Sequence, residues 1–305
     1  MIRVSKLVKN AIEDGHPVVA LETGIVTHAL PRPMNLEAAL RVSKQLISQG
    51  VVPATIAVIK GQIVVGLELE ELDQIASNKN AAQVSIRDIP VAKAQQLNAG
   101  VNLAAVIHIA KRIGIQVCAS TGLGGIHRLG QPGMQESSDL TALSNHPVVL
   151  VTSGVRPALD EAATLERLET LSVPVLGYQT HNFPGFFTTD SGFRLTHKVD
   201  SPKEIAEIVK ARDEMGLNQA ILIANPPPSD LAFTPERYRE LVESVQLPDS
   251  ANWDIDYERS RGILEFMASN GGGDSWQLDV EIYRRNAELA GEIAKYVTNR
   301  LEYTD

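Results

Sequence analysis

The sequence predicts an α/β protein with an α/β/α layered fold and a central, mostly parallel sheet. Short apolar runs alternate with longer helical patterns along nearly the whole chain of 305 residues. Strands that are separated by helix-length connections pair in parallel, and helices then cover both faces of the sheet. The sequence contains no internal repeat and no stretch with the composition of a stiff linker, so we expect a single domain over residues 1–305.

The predicted strands are short apolar runs bounded by polar or turn residues. Lys60-Gly61 separates two of these runs and predicts a hairpin turn. In chain order, the runs span residues 17–21, 55–59, 62–66, 115–119, 148–152, 173–178 and 220–224.

The predicted helices have an apolar face or a characteristic first turn. Pro157 is tolerated at a helix start, because its missing N–H would be unpaired there. Ser201 and Glu204 have the spacing of a capping box. The predicted helices span residues 35–49, 103–113, 157–171, 201–215, a segment beginning at 234, and 280–300.

Composition excludes several classes of function. The chain has 28 basic and 37 acidic residues, a net charge of -9, and no Lys/Arg block, which argues against a nucleic-acid partner. Cys118 is the only cysteine, so neither an intramolecular disulfide nor a multi-cysteine metal cluster can form. No apolar run approaches the roughly 20 residues of a membrane span, and the first residues lack a signal peptide pattern. We therefore expect a cytoplasmic protein without a membrane partner.

Polar residues that follow the predicted strands are candidates for a ligand site, because ligands bind beyond the strand C-termini of open α/β sheets. Glu22 follows an apolar strand. Partial burial there would raise the pKa of its carboxyl and suit it to proton transfer. Alternatively, the carboxylate caps a helix or holds a loop in place. Residues 121–125 offer glycine amides that form an anion cradle or a simple turn. His127 and Arg128 directly after them favour phosphate.

Two further segments could bind an anion. A helical pattern follows Ser137, Ser138 and Asp139. These residues could form the N-cap of that helix, a phosphate or sugar site at its start, or both. Arg156 could hold an anion in a bidentate contact, or it forms a surface salt bridge. The histidines lack metal-ligand spacing, and neither a GxSxG elbow nor a Walker loop occurs.

Several motifs together resemble the pseudouridine-5′-phosphate glycosidase family, over almost the whole chain and in the same order. They are LETGIVTH at 21–28, SIRDIP at 85–90, TGLGGIHR at 121–128, SSDLT at 137–141, LERLETL at 165–171, DSP at 200–202 and ANP at 224–226. The resemblance implies an α/β/α fold, a homotrimer and reversible cleavage of pseudouridine 5′-phosphate to uracil and ribose 5-phosphate. It also implies Mn²⁺ held by an aspartate, a lysine Schiff base, and no organic cofactor.

Carried over by position, Glu22 matches the proton-transfer glutamate of the family. The same resemblance implies a catalytic role for Glu22 and substrate-binding roles for the other matching residues. These are Leu103, His127, Ser137, Ser138, Asp139 and Asn286. Arg156 departs from the family pattern, but its guanidinium could still hold the sugar or the phosphate.

The departures from the family pattern fall on its catalytic groups. Arg156 stands at the position of the nucleophilic lysine, and Gln135 at that of the metal aspartate. Gln83 replaces a second lysine, and Asp279 replaces the first asparagine of a C-terminal segment. Arginine is not deprotonated in proteins, so Arg156 cannot form the Schiff base. A carboxamide at 135 lacks the charge that a hard dication prefers.

Three hypotheses follow. The first is a glycosidase for pseudouridine 5′-phosphate or a related ribosyl phosphate, acting through Glu22 without a covalent intermediate or through Lys60, Lys93 or Lys111. The second is a nucleotide- or sugar-phosphate-binding protein without the family's catalysis. The third is an enzyme for a different phosphorylated glycoside on the same fold.

Overall fold

A computed structural model describes residues 2–127, 136–157, 159–244 and 274–298. The strands in these ranges are β1 (Ile2–Val4), β2 (Val18–Leu21), β3 (Val52–Ile59), β4 (Gln62–Val65), β5 (Ala82–Val84), β6 (Ala99–Val101), β7 (Val117–Ala119), β8 (Ile126–His127), β9 (Val149–Thr152), β10 (Leu159–Asp160), β11 (Val175–Tyr178), β12 (His197–Val199) and β13 (Ile221–Ala224).

The α-helices in the same ranges are α1 (Lys6–Glu13), α2 (Met34–Ser48), α3 (Leu69–Ser77), α4 (Ile89–Ala94), α5 (Leu103–Ile113), α6 (Ser138–Asn145), α7 (Glu161–Thr170), α8 (Pro202–Glu214), α9 (Pro235–Ser244) and α10 (Asp274–Thr298). A π-helical turn over Ile25–Ala29 and a 3-10 turn over Ile86–Asp88 complete them. None of the helices in the described ranges is long and apolar enough to cross a membrane.

The main sheet has the strand order β1-β4-β3-β2-β7-β9-β13-β11-β12, and β6 and β5 extend it from β3. All neighbouring pairs from β3 to β12 are parallel, whereas β3 is antiparallel to β4 and to β6. Strands β3 and β4 form the predicted hairpin, and Lys60 and Gly61 both have positive φ in its turn. A separate two-stranded antiparallel ribbon joins β8 and β10.

Helices cover both faces of the sheet, and this confirms the predicted α/β/α layering. Successive residues of a strand point to opposite faces, so Ala20, Cys118 and Leu150 pack in the cluster that contains α5 and α6. Leu21, Ala119 and Val151 pack in the other cluster, with α2, α8 and α10. Cys118 is fully buried in the first layer, and its burial raises the pKa of the thiol to about 12. A thiol with such a raised pKa stays protonated at neutral pH and is a poor nucleophile.

Two predicted helix starts were wrong. The helix expected from Pro157 begins at Glu161, because the Asp160 carboxylate accepts a hydrogen bond from Ala163 N–H at 2.9 Å and caps it there. The helix expected from 280 begins at Asp274.

The expected capping box at α8 is also modified. Ser201 Oγ accepts from Glu204 N–H as predicted, at 3.2 Å. The Glu204 carboxylate, however, accepts from the N–H of Asp200, one residue before the cap.

Gly154 allows the chain to turn after β9, and an alanine there should destabilise the fold. Gly154 has a φ of 70°, and a Cβ would lie 2.1 Å from the carbonyl oxygen of Pro184. We expect Gly154→Ala to lower the free energy of unfolding by about 2–4 kcal/mol, from left-handed strain and the clash. Urea unfolding measures this change.

Gly216→Ala is the matched control, since Gly216 has a φ of 65° and no atom within 4 Å of its added Cβ. Strain alone should cost about 1 kcal/mol there. Equal losses in the two variants would contradict the close approach at Gly154.

Candidate active site

The carboxyl ends of three neighbouring strands bring together the central groups of the site. Strand β7 pairs in parallel with β2 on one side and with β9 on the other. Glu22 follows β2, Ser120 follows β7, and Arg156 lies four residues after β9. These side chains therefore meet at one edge of the sheet, where an open α/β fold binds its ligands.

Glu22 is fully buried and has polar contacts on both its side chain and its backbone. Ser120 Oγ donates a hydrogen bond to Glu22 Oε1. Arg156 Nη2 lies 3.4 Å from Oε1 and 3.3 Å from Oε2. The Tyr283 hydroxyl donates to the Glu22 carbonyl oxygen at 3.5 Å. The position of this carboxyl is thus set by three separate parts of the chain.

Burial and charge act on the Glu22 proton in opposite directions. Loss of hydration raises the pKa of Glu22, whereas Arg156 and the Ser120 hydrogen bond lower it. The pKa remains raised as a result of burial. A carboxyl with a raised pKa keeps its proton to higher pH and can then act as a general acid.

Arg156 connects this buried carboxyl to the solvent side. Its side chain is 26% exposed, and its Nε donates to the carbonyl oxygen of Gly122 at 3.3 Å. Arg156 therefore forms a salt bridge, as one of the two alternatives predicted, but its carboxylate partner is buried and does not lie on the surface. Its guanidinium instead stands between Glu22 and an open cavity.

The cavity has a volume of about 580 Å³. Most of the residues that the sequence singled out line it, and so does Gln83. The predicted residues in its wall are Leu103, His127, Ser137, Ser138, Asp139 and Arg156. Glu22 and Asn286 are not in the wall, and Arg128 lies outside the described residues.

Asp139 ties two walls of this cavity together. Its Oδ1 accepts from Ala104 N–H in the first turn of α5 at 2.9 Å, and its Oδ2 accepts from Gly124 N–H at 3.0 Å. Burial raises the pKa of Asp139, and the nearby Arg156 together with these hydrogen bonds opposes that rise. Ser137 Oγ accepts from Asp139 N–H at 3.2 Å, so the predicted N-cap of α6 is confirmed.

The glycine segment passes close to α6. A Cβ on Gly124 would lie 2.3 Å from Ser137 Oγ and 2.6 Å from Asp139 Oδ2. Only glycine fits at this distance. The Gly124 N–H is already bonded to Asp139, so that amide does not serve as an anion donor.

Asn286 lies behind the cavity wall and fixes the segment after β7. Its Nδ2 donates to Ser120 O at 2.8 Å and to Thr121 O at 3.4 Å, while its Oδ1 accepts from Asn225 Nδ2 at 2.9 Å. Asn286 therefore positions the Ser120 segment from α10, which is a different role from the substrate contact that the resemblance implied.

No lysine lines the cavity. All eleven lysines of the chain fall within the described residues. Ten are exposed, and the half-buried Lys295 pairs with Glu292 at 2.8 Å. Lys60, Lys93 and Lys111 are exposed, in the β3–β4 turn, in α4 and in α5. The guanidinium of Arg156 is the cationic group nearest to Glu22 in the described cavity wall.

The described part of the chain offers no ready-made set of manganese ligands. Gln135, at the position of the expected metal aspartate, lies outside them. In the described part of the chain, no three His, Cys, Asp or Glu side chains are grouped so that they could hold a metal ion. Both carboxylate oxygens of Asp139 are engaged by backbone N–H groups.

Sequence reasoning missed two contacts of Glu22. Ser120 directly precedes the glycine segment and follows β7, so the strand-end rule could have found it. Tyr283 gave no such signal, because it lies 261 residues from Glu22 and on a helix.

Comparisons of the sequence and of the structure with known proteins identify the same family. The sequence model of the family described as "Indigoidine synthase A like protein" matches residues 7–296. A pseudouridine-5′-phosphate glycosidase of Saccharopolyspora erythraea is 41% identical over 96% of each chain. One from Salinispora tropica is 41% identical over 94% of this chain and 89% of its own.

Two crystal structures are similar over the whole chain. An indigoidine synthase A-like protein from Thermotoga maritima has a TM-score of 0.89 at 32% identity, covering 98% of this chain and 97% of its own. The prealnumycin C-glycosynthase AlnA, in complex with ribulose 5-phosphate, has a TM-score of 0.90 at 27% identity, covering 100% and 99%. The chain therefore belongs to the indigoidine synthase A-like family, together with the pseudouridine-5′-phosphate glycosidases.

Proposed function

We propose that this protein binds a ribosyl phosphate in the 580 Å³ cavity and cleaves its glycosidic bond with Glu22 as proton donor, without a lysine intermediate. The observation that carries the proposal is the contact of Arg156 with the buried Glu22 carboxyl at the cavity edge. Pseudouridine 5′-phosphate is the first substrate to test, since relatives at 41% identity bear that name.

The cavity offers a suitable environment for a sugar phosphate. It combines the N-terminus of α6, the Arg156 guanidinium and polar side chains such as Ser138. The helix dipole and free amides at a helix N-terminus favour an anion. The related AlnA structure contains ribulose 5-phosphate, a ligand of the same chemical class.

The proposed reaction needs one acid and one water molecule. Glu22 donates its proton to the base carbon that carries the glycosidic bond, and the bonding electron pair leaves with the base as uracil. Water adds to the anomeric carbon and returns a proton to Glu22, which yields ribose 5-phosphate. The Arg156 side chain moves aside to admit the substrate, and its positive charge stabilises the Glu22 carboxylate between the two proton transfers.

A Schiff base requires a neutral amine, and the lysines of this chain lie outside the cavity. Arginine remains protonated in proteins, so Arg156 does not replace the missing amine. The proposed reaction therefore has no imine intermediate. The proposed reaction also contains no step on manganese, because the described part of the chain groups no three His, Cys, Asp or Glu side chains as metal ligands.

One observation favours a second function, which is sugar-phosphate binding without turnover. Glu22 has no exposed surface, and Ser120 and Arg156 engage its oxygens. A substrate reaches this carboxyl only if the Arg156 side chain moves aside. If Arg156 stays in place, the cavity binds its ligand without catalysis.

Product analysis separates these functions. Purified protein is incubated with pseudouridine 5′-phosphate, and with a panel of other ribosyl phosphates, with Mn²⁺ or with a chelator. We expect uracil release at equal rates under both metal conditions. Calorimetric binding of ribose 5-phosphate without release of any base would support the binding protein instead. Release that requires Mn²⁺ would contradict the metal-independent route.

Glu22→Gln tests the proton donor. The amide keeps the shape of the side chain but cannot donate an acidic proton, so we expect kcat to fall by about 100-fold or more. Glu214→Gln, a change of an exposed carboxyl in α8, should leave kcat unchanged. Full activity of Glu22→Gln would rule out Glu22 as the acid.

Ser138→Glu tests the anion position at α6. Ser138 is an exposed residue in the first turn of α6 and lines the cavity, so a carboxylate there should repel a bound phosphate. We expect calorimetry to give at least a tenfold weaker affinity for ribose 5-phosphate.

The control is Lys203→Glu, which places a carboxylate in the first turn of α8, away from the cavity, and makes the net charge more negative by two where Ser138→Glu does so by one. Equal affinity of Ser138→Glu and wild type would place the phosphate elsewhere.

A further inference from the structure

The cavity continues beyond the position proposed for the phosphate. Four residues of α6 and the residue that caps its C-terminus line it, namely Ser138, Thr141, Ala142, Asn145 and His146. They are spaced one or three residues apart, so they share one face of the helix. From the rise of an α-helix per residue, this face extends for about 10 Å past Ser138.

Contacts at both ends of α6 fix its direction relative to the Glu22 site. In the first turn, Asp139 Oδ2 accepts from the N–H of Gly124 at 3.0 Å, and its Oδ1 accepts from an N–H in the first turn of α5 at 2.9 Å. At the other end, His146 Nε2 lies 3.0 Å from His108 Nδ1 of α5. Helix α6 therefore runs beside α5, and its first turn is the end nearer to the glycine segment and Glu22.

The 3-10 turn over Ile86–Asp88 lines the same cavity next to α6. Ser85 Oγ lies 3.0 Å from Ser138 Oγ, so a direct contact joins this turn to the first turn of α6. A capping box between Ser85 and Asp88 holds the turn, and Asp88 Oδ2 accepts from the Ser85 N–H at 3.0 Å. Arg87 thus lines the cavity from a backbone that is fixed on both sides.

Arg87 brings a positive charge with only a weak partner in the protein. Its side chain is 88% exposed, and its Nε lies 3.4 Å from Asp88 Oδ1. Such an exposed ion pair contributes little. The other acidic residues of the described wall have closer partners, since Glu136 accepts from Arg167 Nε at 2.9 Å and Asp139 accepts two backbone N–H groups. The Arg87 guanidinium can therefore bind a phosphoryl group in a bidentate contact.

The proposed function sets the order of the ligand's groups along this cavity. The base lies next to Glu22, and the phosphate lies at the first turn of α6, near Ser138. A group attached to that phosphate would continue along α6 towards Thr141, which is exposed and lies one turn further on. Arg87 lies in the wall beside this stretch, so the chemistry there suits a further anionic group.

We propose that Arg87 and Thr141 form a subsite for a second phosphoryl group, so that the cavity takes ribosyl 5′-diphosphates, such as nucleoside 5′-diphosphates. The guanidinium donates N–H groups to the phosphoryl oxygens, and the Thr141 hydroxyl supplies one further donor. This inference rests on the proposed function, because it takes from it the position of the first phosphate.

Calorimetry with uridine 5′-monophosphate and uridine 5′-diphosphate tests the subsite. These nucleotides have nearly the shape of the pseudouridine nucleotides, but the base atom that carries the glycosidic bond is nitrogen. The proposed reaction protonates a base carbon at that position, so it does not consume them. We expect wild type to bind the diphosphate at least about tenfold more tightly, since it makes additional hydrogen bonds to a charged group.

Arg87→Gln should remove most of this preference. We expect the affinity for the diphosphate to fall about tenfold and that for the monophosphate to change by less than about threefold. Arg87→Lys keeps the charge without the bidentate geometry, so it should retain part of the preference. The matched control is Arg239→Gln, which removes the same charge from an exposed residue of α9 outside the described cavity wall and should leave both affinities unchanged.

Three results would contradict the subsite. Equal affinity of wild type for the two nucleotides would exclude it and leave the proposed function standing, because the first phosphate binds without Arg87. Equal losses of affinity for both nucleotides in Arg87→Gln would place the first phosphate at Arg87 instead. If wild type binds neither nucleotide, the subsite fails together with the proposed phosphate position.

Discussion

The chemistry of the site depends on the contact between the Arg156 guanidinium in the cavity wall and the buried Glu22 carboxyl. Removing one member of such a pair leaves an uncompensated buried charge and costs about 3–5 kcal/mol. The guanidinium gives the site a permanent positive charge next to a carboxyl whose pKa is raised by burial. It supplies charge stabilisation where the resembling enzymes are expected to have an amine.

Much of the fold could be predicted because its signals are local. Helix α5 has the predicted bounds, since Asn102 caps its start and Gly114, with a φ of 91°, ends it. The start of α7 was wrong because two local signals competed, and the Asp160 cap prevailed over Pro157. The order of the strands depends on contacts between residues that are distant in sequence. The sequence therefore predicted a largely parallel sheet but not the order of its strands.

The sequence predicted most residues of the candidate site but not the contacts between them. The residues after the strands and the family motifs identified Glu22 and most of the cavity wall. The contact between Glu22 and Arg156 joins residues 134 apart, and no pattern in the sequence predicts it. The arginine at position 156, where the resembling family is expected to have a lysine, indicated from the sequence that no Schiff base forms there. Every lysine of the chain lies outside the cavity, so no other lysine takes the place of the missing amine.

The central claim is that this site acts without an imine. Borohydride trapping with ribose 5-phosphate, followed by intact-mass and peptide mass spectrometry, tests it most directly. Arg156→Lys serves as the positive control, because it places an amine next to Glu22. We expect no adduct on the wild-type protein and a reduced sugar-phosphate adduct on the variant. A lysine adduct formed by the wild-type protein within the cavity would contradict the account.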